Sequence, residues 1–162
     1  MTSLAKARAL ALLVPLALLG GAYGFQYVWA HLSPCEMCWW QRYAHFAALP
    51  FGLAAVLAGP RLRDGGRILV WLAALAIFVS GAIAFYHAGV ELKIFQGFTQ
   101  CTAAAGGSPD DILRAALNGP MIRCDEAPGW WLGISMAGWN AIISLSSALV
   151  ILWLSLRKKK AA

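Results

Sequence analysis

Charge is scarce in this sequence. Seven acidic and 13 basic residues stand among 162, while 60% of the chain is hydrophobic. An ordinary soluble domain carries about twice that share of charge. The shortage excludes a water-exposed globule, because no polar remainder exists to cover the apolar surface. Cysteine is absent from the long apolar stretches, and no Cys-x-x-Cys-His occurs. The second absence removes any support for covalently attached haem.

What the chain has instead is four apolar runs, at about residues 9–30, 39–58, 68–86 and 130–156. Crossing the hydrocarbon core takes about 20 helical residues, and each run is that long. The runs are continuous rather than alternating, so they predict helices and not membrane strands. Lys6 and Arg8 precede the first run, as in a signal peptide, but that run extends to Trp29. A signal core is about half as long, so a retained helix is expected. The reading is an all-α, polytopic membrane protein: one domain over 1–162, built as a four-transmembrane-helix bundle.

Charge placement orients the bundle. Nine of the 13 basic residues fall before run one, between runs two and three, or after run four. With four spans these segments share a side, which the positive-inside rule makes the cytoplasm. Both termini are then cytoplasmic, and loops 31–38 and 89–129 lie outside. Six of the seven acids and all four cysteines fall on that outer side. The net charge of +6 thus follows from topology and gives no reason to expect nucleic-acid binding. Five tryptophans, Trp29, Trp39, Trp40, Trp130 and Trp131, mark the outer boundary as an aromatic belt would. An even cysteine count facing an oxidising compartment fits either two disulfides or a redox relay.

The segment Ser33-Pro34-Cys35-Glu36 has the form of a helix start, with a serine cap, proline at the first position and a glutamate closing a capping box. Cys35 then falls in the first turn, where free N–H groups and the helix dipole favour a thiolate. Cys38 lies one turn on, close enough for a disulfide. Arg42 is four residues further on the same face. A charge at that depth marks a functional site or a side chain snorkelling to the headgroups. His45 follows on the same side, and a packed inter-helix hydrogen bond is its expected role. Asn140 and Ser144 in the last run are expected to hydrogen-bond between helices.

Loop 89–129 is too long for a simple connector. Ser108, Pro109, Asp110 and Asp111 begin a short amphipathic helix over about 110–118 that ends at Asn118-Gly119-Pro120. It could lie on the membrane or pack on its own loop. Cys101 and Cys124 flank it, placed either as a structural clasp or for thiol–disulfide exchange.

Together these features resemble the disulfide bond formation protein B (DsbB) family, bacterial inner-membrane thiol:quinone oxidoreductases. The resemblance rests on four spans, Cys35-x-x-Cys38 opening span two, the following Gln41-Arg42 pair, Cys101 and Cys124 in the second outer loop, and Gly133-Ile134-Ser135-Met136. In vitamin K epoxide reductase relatives the loop pair comes before the membrane pair; here it comes after. The resemblance implies disulfides Cys35–Cys38 and Cys101–Cys124. It also implies that a periplasmic thioredoxin-fold oxidase (DsbA-like) attacks Cys101, Cys124 passes the change to Cys35, and Cys38 faces a membrane quinone. Ubiquinone is favoured over menaquinone, and Arg42 would stabilise the thiolate and the quinone oxygen. His87 is a candidate quinone contact by family position; His45 and Trp39 are weaker ones. His31 reads as interfacial.

Two other classes compete. A metal-handling membrane protein would use Cys35, Cys38, Met37 and His31 as soft ligands for copper or zinc, leaving Cys101, Cys124 and Arg42 without a role. A scaffold with two structural bridges would leave Arg42 unexplained.

Overall fold

The computed structural model describes residues 2–29, 34–97, 123–127 and 129–157. Four helices form: α1 (Ser3–Gly24), α2 (Glu36–Leu57), α3 (Arg67–Glu91) and α4 (Met136–Leu156). A wider π turn, Phe25–Trp29, continues α1. Each helix packs on two neighbours, in the order α1, α2, α3, α4 and back to α1. The product is a closed four-helix bundle.

Small residues make that closure possible. Ala7, Ala11, Ala48, Ala55, Ala73, Ala74 and Ala148 form most of one buried cluster, with Val70, Ile77 and Ile151. Large apolar side chains such as Leu13, Phe85 and Leu149 point outward. This is the inverse of a soluble bundle. Lipid takes up large side chains at no cost, and helices associate where small ones let backbones approach. Gly52 gives the closest case. A Cβ built there would lie 2.6 Å from the Ala11 carbonyl oxygen of α1. Gly52→Val is therefore expected to lower stability by about 1–3 kcal/mol, read as a fall in Tm of the detergent-solubilised protein.

Three helical segments among the described residues are long and apolar enough to cross a membrane: Ser3–Val28, Arg67–Glu91 and Met136–Leu156. The other helix, α2, is equally long at 22 residues but carries Gln41, Arg42 and His45 on a buried face. The chain is a polytopic helical membrane protein, and α2 brings its polar groups to the centre.

Helix limits differ from the sequence expectations at functionally important ends. The first helix starts at Ser3, so Lys6 and Arg8 lie within it rather than before it. Cys35 itself caps α2, its Sγ accepting from the Cys38 N–H at 3.3 Å. Pro34 therefore precedes the helix instead of opening it, and the expected serine cap, Ser33, is outside the described residues. The third helix runs one turn beyond Tyr86, so His87 and Glu91 are helical. The last helix begins at Met136, not 130. Residues Trp130–Trp131 (β1) and Ile134–Ser135 (β2) pair antiparallel. Leu132 and Gly133, at φ 53° and 76°, make the intervening two-residue turn, and two positive φ values suit such a hairpin. The apolar run of 130–156 concealed that turn. The expected helix over 110–118, with Cys101 and His31, also lies outside the described residues.

Candidate active site

The site forms where the N-terminal end of α2 and the C-terminal end of α3 meet the loop carrying Cys124. Because Cys35 caps α2, its sulfur folds back over the first turn, 2.8 Å from the Cys38 sulfur. Cys124 is fully buried in one cluster with Cys35, Met37 and Val90, and its side chain interacts with the Cys35 thiol. Cys35 therefore stands between two cysteines, one adjacent on its own helix and the other 89 positions away. Ion pairs hold the loop carrying Cys124. Arg123 grips Asp125 through two hydrogen bonds of 2.9 and 2.8 Å, and Lys93, just past α3, adds another at 2.6 Å. Arg123, then Lys93, hold the Asp125 carboxyl well below the usual carboxylate range. A depressed pKa makes the clamp's contribution present above about pH 4 and lost on acidification below it.

His87 sits over the dithiol. Its Nε2 lies 3.6 Å from Cys35 Sγ, 3.2 Å from the Cys124 carbonyl oxygen and 3.7 Å from Glu91 Oε1. Its Nδ1 lies 2.9 Å from Gln41 Nε2. Glu91, one turn beyond, accepts from the hydroxyl of Ser135, the residue that caps α4. The adjoining ends of three helices thus converge on one histidine.

A cavity of about 640 Å³ opens beneath this cluster, among α1, α2 and α4. Gln26, Cys38, Gln41, Arg42, His45, His87, Glu91 and Asn140 supply its polar groups, and apolar residues, mostly of α1 and α4, form the remaining wall. Cys38 lines this cavity while Cys35 turns to Cys124, so the two sulfurs of the Cys-x-x-Cys pair face different neighbours.

Arg42 does not snorkel. It is 8% exposed, and its guanidinium donates to Gln26 Oε1 at 2.6 Å and to the Ala22 carbonyl at 3.4 Å. The rings of Tyr23 and Trp39 flank it, 4.7 and 5.2 Å from ring centroid to guanidinium carbon. Such rings stabilise a buried cation face-on. Trp39 stands beside Arg42 rather than on the cavity wall, where Trp131 and Trp139 are found instead. His45 makes the expected inter-helix bond, 3.1 Å from Asn140 Oδ1 of α4. Asn140 also bonds Gln41 of α2 and Ser80 of α3.

Cys35, Cys38, Cys124, Arg42, His45 and His87 are thus drawn into one region by the fold. Gln26, Gln41 and Glu91 were not singled out as site residues by the sequence. A glutamine inside an apolar run is a detectable signal for the first of them. An acid four residues beyond a histidine is one for the last.

The family profile described as "Disulfide bond formation protein DsbB" matches residues 5–154. Among curated proteins, disulfide bond formation protein B of Marinobacter nauticus is 31% identical over 154 residues, covering 90% of this chain and 86% of the relative. That of Xanthomonas euvesicatoria pv. vesicatoria is 28% identical over 143 residues, covering 84% and 83%. That of an Azoarcus species is 30% identical over 129 residues, covering 76% and 75%. No solved structure gives a significant match. With a dithiol at the lip of a membrane bundle, a third cysteine against it and a family match over nearly the whole length, the chain belongs to the DsbB family of disulfide bond formation proteins.

Proposed function

We propose that this protein is a thiol:quinone oxidoreductase of the bacterial inner membrane, with both termini cytoplasmic, that reoxidises a periplasmic thioredoxin-fold (DsbA-like) dithiol. One observation carries the reading: Cys35 touches Cys124 on the loop side while Cys38 lines an intramembrane cavity with Arg42. An electron relay needs that two-sided placement; a structural bridge does not.

The chemistry balances as a chain of exchanges. A partner thiolate attacks Cys101 of a Cys101–Cys124 disulfide, and Cys124 leaves. The partner's second thiol then releases it, oxidised, and leaves Cys101 and Cys124 reduced. The Cys124 thiolate attacks Cys35 of the Cys35–Cys38 disulfide, and Cys38 leaves into the cavity. Attack by Cys101 on Cys124 restores the loop bridge and leaves Cys35 and Cys38 reduced. Those two thiols then close to a disulfide, giving up two electrons and two protons. The quinone is the two-electron acceptor, ubiquinone in preference to menaquinone.

The cavity fits such a substrate. It is apolar over most of its wall, and His45, which lines it, has a buried Nδ1 with no hydrogen-bond partner among the described residues. Arg42 is the cation suited to stabilise negative charge developing on sulfur or oxygen.

Cys35, Cys38 and His87 also place three soft donor atoms within 4.8 Å of one another, enough to hold copper or zinc. A metal-handling role leaves Arg42 and the cavity unused, so the relay is preferred.

The deciding experiment is a redox cycle. Oxidised protein mixed with a reduced thioredoxin-fold partner should lose its disulfides and recover them when quinone is added, with loss of quinone absorbance. Cysteines that stay unchanged through the cycle would refute the relay. Reporter fusions at Gly65 and Gly106 should report cytoplasm and periplasm respectively; the same side for both would refute the proposed orientation.

A further inference from the structure

Two histidines line the cavity, and one amide governs which nitrogen each presents. Gln41 is 6% exposed and bonded at both ends of its carboxamide. Its Nε2 lies 3.1 Å from the Met37 carbonyl oxygen, one turn back on α2, and 2.9 Å from His87 Nδ1. Its Oε1 accepts from Asn140 Nδ2 at 2.8 Å. Exchanging the amide oxygen and nitrogen would set an acceptor against the Met37 carbonyl, which can only accept. A main-chain carbonyl therefore determines the orientation of this side chain.

The consequences propagate in two directions. Towards α3, one amide hydrogen goes to Met37 and the other to His87 Nδ1, so Nδ1 must be the accepting nitrogen. The ring hydrogen then sits on Nε2, beside Cys35 Sγ, the Cys124 carbonyl and Glu91. Towards α4, Asn140 spends its amino group on Gln41 Oε1 and, at 3.3 Å, Ser80 Oγ. Its Oδ1 is left as the acceptor, and takes the Ser144 hydroxyl at 2.8 Å. His45 Nε2 faces that same oxygen at 3.1 Å and must carry the hydrogen. His45 Nδ1 is then a bare acceptor, buried and unpartnered among the described residues, on a residue that is 3% exposed and lines the cavity.

We propose that Gln41 is the positioning residue of the site: it sets both tautomers, so that His87 offers an N–H to the Cys35 sulfur and His45 donates from Nε2 to Asn140, with its hydrogen kept off Nδ1. The functional part of this inference rests on the thiol:quinone reading. An N–H beside Cys35 stabilises charge on that sulfur during exchange.

The test begins with the unmodified site. The chain with His31→Gln, ¹⁵N-labelled at histidine and placed in lipid nanodiscs, leaves two imidazoles to read. Both should show a hydrogen on Nε2 and none on Nδ1. Gln41→Glu puts an acceptor opposite His87 Nδ1, so that ring should switch its hydrogen to Nδ1. Quinone reduction should fall about tenfold or more, the worth of one hydrogen bond to a charged group. Either ring carrying its hydrogen on Nδ1 before Gln41 is changed would overturn the proposal, with no Gln41 variant needing to fold. So would a Gln41→Glu protein whose tautomers or rate match the parent's. Absence of quinone reduction in the His31→Gln parent would instead count against the thiol:quinone reading, and the tautomers would still be read.

Discussion

Cys124→Ser is expected to cut turnover by roughly a thousandfold or more, as loss of a nucleophile does, and to trap the soluble partner. Cys124 is fully buried against Cys35. In the relay it is both the group that leaves when Cys101 is attacked and the thiolate that then attacks Cys35. A serine hydroxyl does neither, because disulfide exchange needs a thiolate. Mixed with oxidised partner, the Cys124→Ser protein should accumulate a mixed disulfide through Cys101, whose thiolate opens the partner's disulfide and finds no second loop thiol to resolve it, visible on a non-reducing gel; with reduced partner it should bleach no quinone. Cys101→Ser should give no mixed disulfide at all. Sustained turnover by Cys124→Ser would mean that Cys101 exchanges with Cys35 directly and that the burial of Cys124 beside it is structural.

Arg42→Gln is the second large effect: a rise in KM for quinone of about tenfold to a hundredfold, the range for a hydrogen bond made by a charged group. The guanidinium donates to Gln26 and Ala22 on the α1 side, lies between two aromatic rings and borders the cavity. Glutamine keeps one donor group but loses the charge. Lysine keeps the charge as a single point, without the planar fork that meets several partners at once. Arg42→Lys should therefore recover part of the lost affinity. Arg42 also ties α2 to α1, so Tm is measured alongside. A change in Tm with unchanged KM in both variants would make the residue a structural clasp. Thiol exchange between partner and loop cysteines should stay near the parent rate, since Cys124 packs on Cys35 rather than on Arg42.

Much of this molecule could be read from the chain alone, because the main term is local. Whether a run of 20 residues prefers lipid depends on those residues and little else. The four helices, the membrane class, the Cys35–Cys38 pair at a helix start and the depth of Arg42 all follow from short windows of sequence. The snorkelling alternative for Arg42 could be dismissed only once α1 was in place, because Gln26 lies 16 positions away. Errors gathered where two local rules competed. Ser33-Pro34 looked like a cap and first turn, yet Cys35 takes the cap with its own sulfur. Trp130 to Ser135 is as apolar as a span, yet two positive-φ residues fold it into a hairpin.

The polar interior was decided only by tertiary structure. Gln41 meets Asn140 across 99 positions, His87 meets the Cys124 carbonyl across 37, and Cys124 meets Cys35 across 89. Hydropathy carries no record of such pairings. In a medium without water each buried donor must find a partner within the protein. Which partner it finds depends on helix order, rotation and depth together. The sequence by itself determined that a dithiol and a cation would enter the membrane on one helix. The packing of α1, α3 and α4 around that helix decided which groups they meet there.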